Sequence, residues 1–306
     1  MQKPNVSIEM PVGNISSSRN LGKYYQDFTQ AIVHYNEEYF GPFDNQGIPM
    51  QYFEGAARYS QIYIIQYGLI LHDLILNQEN IKSNTAKLKA CVDWLLENKE
   101  ETEQHILWRN YFDLPRWGLK KGWVSGMYQG QVISLLLRYG QLINEEEKFL
   151  LICQKIFNFF DVEYNDGGVR RLDKAANLWF EEYPSEQPSF VLNGFIYCFL
   201  GIYDLFRVSQ DNNVKKTVNA CLKTIEDSIH IYDCGYWSIY DQLKKELATK
   251  YYHKNIHIPL LEILYNLFGI SKFQEHSLNW QKQLNSNINL WRVKIMYRIR
   301  PKILKK

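Results

Sequence analysis

Two adjacent carboxylates, Glu181 and Glu182, stand directly before Tyr183 in the run WFEEYP at 179–184. Further along come Tyr240-Asp241, then Tyr251-Tyr252-His253 and His257. Carboxyl, phenol and imidazole groups in one neighbourhood can take and return protons, which is the chemistry of acid–base work on a sugar ring. Each group also has a plainer use. Glu181 and Glu182 suit a helix entry or a solvated surface, and any of the 22 tyrosines suits a core. His253 and His257 are spaced to hold a metal on one helix face, but no third ligand accompanies them, and no metal is expected.

The elements that must position these groups are read from apolar periodicity. Helical stripes run over 56–77 and 84–98, 125–143 and 145–160, 189–208 and 212–230, and 257–268 and 272–285. A short turn closes each pair, making αα-hairpins. The links between hairpins, 99–124, 161–188 and 231–256, are much longer and carry the candidate groups. Short strands are expected at 168–172 and 237–240. Tight links at one end and long links at the other predict an all-α fold. Its form is an (α/α) toroid or barrel of about four helical hairpins, with short β-hairpin insertions at one rim. An open stack of hairpins is the alternative. The expected division is an irregular lead-in over 1–50 packed on the barrel, with 20–40 as one helix or a strand-bearing segment. A barrel over 51–286 and a basic amphipathic tail over 287–306 follow.

Composition narrows the function classes. The chain of 306 residues is 46% hydrophobic and 15% aromatic, enough to fill a large core or line a groove where sugar rings stack. A formal net charge of +2 gives no bulk case for nucleic acid, and none is expected as a partner. Cys91, Cys153, Cys198, Cys221 and Cys234 are scattered, without a CxxC pair, as in buried thiols of a reducing compartment. Residues 1–20 lack an apolar run, so no signal peptide is expected. The apolar stretches 62–76 and 190–206 are too short or too polar to span a membrane, interrupted as they are by Gln66, His72, Asp73, Asn193 and Asp204. No GxGxxG follows a strand, and no cofactor is expected.

Several blocks are more particular than the helices around them. They are QYGL at 66–69, GWVSGMYQGQVIS at 122–134, WFEEYP at 179–184, SFVLNGFIYCFLGIYDL at 189–205, and YYHKNIHI at 251–258 after Tyr240. In this order, over about 47–285, they resemble the C-terminal domain of the D-glucuronyl C5-epimerases, which convert glucuronate to iduronate in heparan-type polysaccharides. The resemblance implies an (α/α) barrel and an isomerase. Its substrate would be an acidic polysaccharide or oligosaccharide, here a bacterial uronic-acid-containing glycan. It places the family's acid–tyrosine pair on Glu182 and Tyr183 and its later tyrosines on Tyr240 and Tyr252. Glu182 and Tyr252 are then the opposed proton carriers, while Tyr183 and Tyr240 orient the ring and stabilise charge. The matched motifs put substrate contacts on Trp123, Gln129, Trp179, Glu181, Asn193, Asp241, His253 and His257.

Departures bear on the substrate. The segment Tyr240-Asp241-Gln242-Leu243-Lys244-Lys245 lacks the arginine of the family's IYDLRH. Lys244 or Lys245 would replace it as a point charge without the bidentate fork. One extra residue before His257 leaves Tyr251 and Tyr252 as alternatives for the functional tyrosine. A polysaccharide lyase or glycoside hydrolase on the same toroid, and a non-catalytic glycan-binding relative, are the competing functions. The animal members dimerise, which leaves a homodimer open here. The expected location is cytoplasmic, in bacterial polysaccharide assembly, peripheral to the inner membrane face.

The near-zero charge hides an asymmetry. No acidic residue follows Glu275, whereas 276–306 holds eight basic ones, so the preceding residues carry 27 bases against 33 acids. Within the tail, Leu290, Trp291, Val293, Ile295, Met296, Tyr297 and Ile299 alternate with the bases. Such a segment suits an anionic membrane surface or an acidic polymer, or simply a final helix docked on the ring.

Overall fold

This is a computed structural model, and the structure describes residues 9–31, 41–53 and 55–303. Among the described residues, four helical hairpins follow one another. They are α1 (Gln61–Leu76) with α2 (Ile81–Glu97), and α3 (Gly126–Leu142) with α4 (Glu146–Asn158). Next come α5 (Leu192–Ser209) with α6 (Asn212–Ser228), and α7 (Ile258–Phe268) with α8 (Ser271–Leu284). A last helix, α9 (Asn287–Ile303), packs beside α8.

Within the hairpins the two helices differ in kind. Nearly every residue of α5 from Leu192 to Val208 is buried, and α1 and α3 are buried almost as fully. Their partners bury only a stripe, Leu88, Cys91, Val92 and Leu95 in α2 and Phe273, Ser277, Trp280 and Gln283 in α8. A helix apolar all round belongs inside, and one with a single apolar stripe belongs outside. The inner helices α3 and α5 cross closely because Gly130 and Gly201 meet there. A Cβ on Gly201 would lie 1.8 Å from the Gly130 carbonyl oxygen. Four of the five cysteines are buried, and all five are free thiols.

Residues 10–28 are tied across this inner layer. The Tyr24 N–H donates to Asp73 on α1, and the Tyr25 hydroxyl donates to Asp204 on α5. Gln26 donates to the Asn255 carbonyl and accepts from the Tyr197 hydroxyl. Asp204 also takes Arg138, Arg207 and Ser134, so this buried carboxylate is paired and hydrogen-bonded rather than stranded.

Several boundaries depart from the sequence expectation. Residues 56–59 are not helix but strand β2 (Ala56–Tyr59), paired antiparallel with β1 (Met50–Phe53) through a turn where Gly55 has φ of +84°. In the short pairs β3 (Glu100–Glu101) with β4 (Ile106–Leu107), and β5 (Arg109–Asn110) with β6 (Trp123–Val124), the long link after α2 folds back on itself. The expected strand near 168–172 is β7 (Arg170–Leu172), paired with β8 (Leu178–Phe180). Residues 237–240 form no strand. Ser238 and Ile239 make single bridges to Asp233 and Leu247 instead, because the chain turns in as Trp237 and Ser238 become buried. The fourth hairpin starts earlier than its periodicity implied, with a turn Lys250–Tyr252 and a π-helical turn His253–His257 leading into α7. In the expected helix over 20–40, residues 20–28 are irregular, and 32–40 lie outside the described residues.

Candidate functional site

The long links gather at the end where the inner helices α3, α5 and α7 begin. Gly126 at the start of α3 donates its N–H to the Glu181 carbonyl, and the Leu192 N–H at the start of α5 donates to the Tyr240 carbonyl. The WFEEYP segment and the Tyr240 loop are thereby fastened to two adjacent inner helices. The same end carries their N-termini, whose helix dipoles favour negative charge nearby.

Glu182 occupies the centre. It is 4% exposed, and its Oε2 has no hydrogen-bond partner. Tyr128, Tyr183 and Tyr240 all feel its charge, and Tyr252 lies close to each of the three. Burial pushes the Glu182 carboxyl up to about 7, opposed by the Tyr183 phenol and assisted by Glu181. Burial, and then the Glu182 charge, hold the Tyr183 and Tyr240 phenols well above the ordinary range, so both keep their protons. The Tyr240 and Tyr252 rings meet edge to face with centroids 5.2 Å apart. Tyr251 faces elsewhere, with its hydroxyl on Met10 Sδ at 3.2 Å.

An aromatic wall backs the group. Tyr183 stacks on Trp117 at 4.7 Å and 12°, and Trp123 lies 6.0 Å from Tyr183 and 6.2 Å from Tyr128. Lys244 Nζ sits 4.5 Å from the Trp117 ring centre and donates to the Arg116 carbonyl. Arg116 itself pairs with Glu246. Lys244 thus brings a cation to the Trp117–Tyr183 stack from the loop that lacks the family arginine.

The two histidines lie in the second layer. His253 stacks on Trp237 at 3.7 Å, and its Nε2 is 3.1 Å from the Trp280 carbonyl. The Ser238 hydroxyl joins His253 Nδ1 at 2.7 Å to His257 Nδ1 at 2.8 Å. A carbonyl accepts only, so His253 carries its proton on Nε2 and its Nδ1 accepts from Ser238. Ser238 then accepts from His257 Nδ1–H, which leaves His257 Nε2 as a bare acceptor, buried and without a partner. Burial lowers both rings, to about 4 for His253 and about 3 for His257, so they stay neutral.

Three of the expected substrate contacts, Trp179, Glu181 and the His253 just described, are taken up by protein partners. Trp179 is 2% exposed, between Phe190 and Phe195, with Nε1 on Asp173, which leaves no face for a sugar. Glu181 has both oxygens engaged, by the Ser189 N–H and hydroxyl, the Phe190 N–H and Arg171 at 3.5 Å, so it fastens the 189–190 loop. Asn193 in the first turn of α5 and Gln129 in the first turn of α3 are buried, each with its side-chain oxygen unpartnered. Asp241 accepts from the Lys244 N–H with one oxygen, while the other is buried and unpartnered. Trp117, Tyr128 and Ser238 were not expected as site residues. Tyr128 lies inside a block already singled out and Ser238 inside the strand expected at 237–240, whereas Trp117 sits in a link without a motif. Clefts of about 810 and 550 Å³ lie at the other end, among residues 13–29 and the C-terminal turns of α1 and α3. Neither contains the Glu182 group.

Inner and outer helices in hairpins, with a buried carboxyl set among phenols where the inner helices begin, make this a helical-hairpin protein with a carboxyl–phenol cluster at one end. More specifically, the chain belongs to the family described as D-glucuronyl C5-epimerase C-terminus, whose sequence profile matches residues 102–282. It is 31% identical over 197 residues to the D-glucuronyl C5-epimerase of Caenorhabditis elegans, covering 56% of this chain but only 31% of the nematode enzyme. An uncharacterised protein of Methanocaldococcus jannaschii is 30% identical over 222 residues, covering 71% of this chain and 67% of that one. Among solved structures, a D-mannose isomerase superposes with a TM-score of 0.53 at 11% identity, over 83% of this chain and 68% of its own. That likeness is one of fold.

Proposed function

We propose that this protein inverts C5 of glucuronate residues, giving iduronate, in a bacterial uronic-acid-containing glycan. The observation that carries the reading is Glu182, a buried carboxyl with a free oxygen, pushed to about 7 among phenols that hold their protons. The C5–H bond lies α to a carboxylate and is very weakly acidic. Its removal therefore needs a base in contact and hydrogen-bond donors on the carboxylate as it becomes an enediolate. Glu182, ionised as pH passes about 7, takes the proton. Tyr252 returns one to the opposite face, which completes inversion; Glu182 then releases its proton to solvent and the Tyr252 phenolate regains one, which balances the turnover. Tyr183 and Tyr240, kept neutral, donate to the developing negative charge. Lys244 and the N-terminal turns of α3 and α5 hold the substrate carboxylate, and Trp123 with Trp117 lines the sugar path.

In this reading the four hairpins close into an (α/α) toroid, residues 51–286 form the catalytic unit, and the protein works in the cytoplasm. The test is incubation with uronic-acid polysaccharides in deuterated water, followed by proton NMR. Deuterium at C5 with new iduronate signals supports epimerisation. An unsaturated product points to a lyase, new reducing ends to a hydrolase, and an unchanged polymer to a binding protein.

A further inference from the structure

The helix α9 carries two apolar faces. The inner one docks on the body, with Val293 5% exposed and the Tyr297 hydroxyl donating to the Leu247 and Ala248 carbonyls. The outer one is a row of Ile288, Trp291, Ile295 and Ile299, spaced by three, four and four residues and so aligned on one side of a helix. Ile288 is 66% exposed, Trp291 65% and Ile299 45%, with Ile295 between them half-buried. By the same helical geometry Arg292, whose guanidinium lies 5.8 Å from the Tyr236 ring centre, flanks the row on one side, and Lys294 and Arg298 flank it on the other. No acidic residue occurs anywhere after Glu275. Among the described residues no helix is long and apolar enough to cross a membrane.

We propose that the outer face of α9 seats on an anionic lipid bilayer surface, lying in the interface with the row inserted and the cations among the headgroups. Isoleucines and a tryptophan need an apolar phase, and flanking bases need negative charge. A bilayer of anionic lipid supplies both at once. An acidic polymer offers no place for the isoleucines, and a second copy would set two basic faces against each other.

The full chain is mixed with vesicles of phosphatidylcholine alone or with phosphatidylglycerol added, and bound protein is separated by sedimentation. Binding should need the anionic lipid and weaken with salt, and Trp291 emission should shift to the blue. Ile288→Ser with Ile295→Ser and Ile299→Ser keeps every charge; Arg292→Glu with Lys294→Glu and Arg298→Glu keeps the row. Each set should lower partitioning by about tenfold or more, with near-ultraviolet circular dichroism confirming an intact fold. Equal sedimentation with neutral and anionic vesicles overturns the proposal, as does full binding by the serine set. Absent vesicle binding overturns it in favour of an acidic polymer if polyuronate binds and the glutamate set abolishes this. With a concentration-dependent dimer that the serine set dissolves, it does so in favour of a second copy.

Discussion

Gly194, in the first turn of α5, lies flat against the Glu182 side chain. A Cβ on that glycine would come 2.2 Å from Glu182 Oε2 and 2.5 Å from Glu182 Cβ. The carboxyl is therefore held in place by the absence of a side chain opposite it. In Gly194→Ala the added methyl must push Glu182 aside, and a misplaced proton carrier costs roughly 100-fold in rate. C5 exchange should fall by that order while far-ultraviolet circular dichroism stays as in the parent. Undiminished exchange would mean that the position of Glu182 is not what the glycine protects.

Glu182 also links pH to stability. Its carboxyl titrates near 7 in the folded protein against an ordinary value of 4.5, so the fold favours the protonated form. The stabilising contribution is thus complete below about 4.5 and is lost as pH rises through about 7. Glu182→Gln cannot ionise. It should gain on the parent by as much as about 3 kcal/mol between mildly acidic and alkaline solution. Denaturant melts at both pH values check this; a stability difference that does not change with pH would contradict the raised carboxyl.

The Ser238 hydroxyl bridges the Nδ1 atoms of His253 and His257. Ser238→Ala strands a buried ring nitrogen, which costs about 1–3 kcal/mol. A urea melt near neutral pH should show the loss. Both histidines are depressed, so their stabilising contribution is present above about 6.5 and is lost as pH falls towards 4 and 3. An unchanged midpoint would show that water replaces the hydroxyl without cost.

Lys244 approaches the Trp117 ring, which also stacks on Tyr183. Removing a cation that binds the substrate carboxylate in ground and transition state alike raises KM and spares kcat. Lys244→Ala should raise KM about tenfold, a loss of about 1.4 kcal/mol. A fall in kcat at constant KM would place Lys244 in the chemical step instead.

The hairpins could be read from the chain because α1, α3 and α5 are apolar all round while α2 and α8 are striped. Residues 56–59 were misread as helix because their apolar pattern continues into α1, whereas backbone pairing with β1 decides the matter. At the site, resemblance placed the adjacent Glu182 and Tyr183, Tyr240 and Tyr252 on three separate segments, and the fold brings them together. Trp179 and Glu181 belong to the same motif, yet the strand β8 and the turn after it send them into the core. Glu181 is taken up by Ser189, Phe190 and Arg171 while Glu182 keeps an unpartnered oxygen, and a list of motif residues does not carry that difference. Trp117 was illegible because its role rests on a stack with Tyr183, far away in sequence.

The most direct test follows hydrogen at C5 in single-site variants. Parent protein, Glu182→Gln and Tyr252→Phe are each incubated with glucuronate polymer in deuterated water, and deuterium at C5 is read by proton NMR. The parent should exchange and invert, and each variant should do neither, with polymer binding retained in both. Full exchange in both variants would contradict Glu182 and Tyr252 as the two proton carriers.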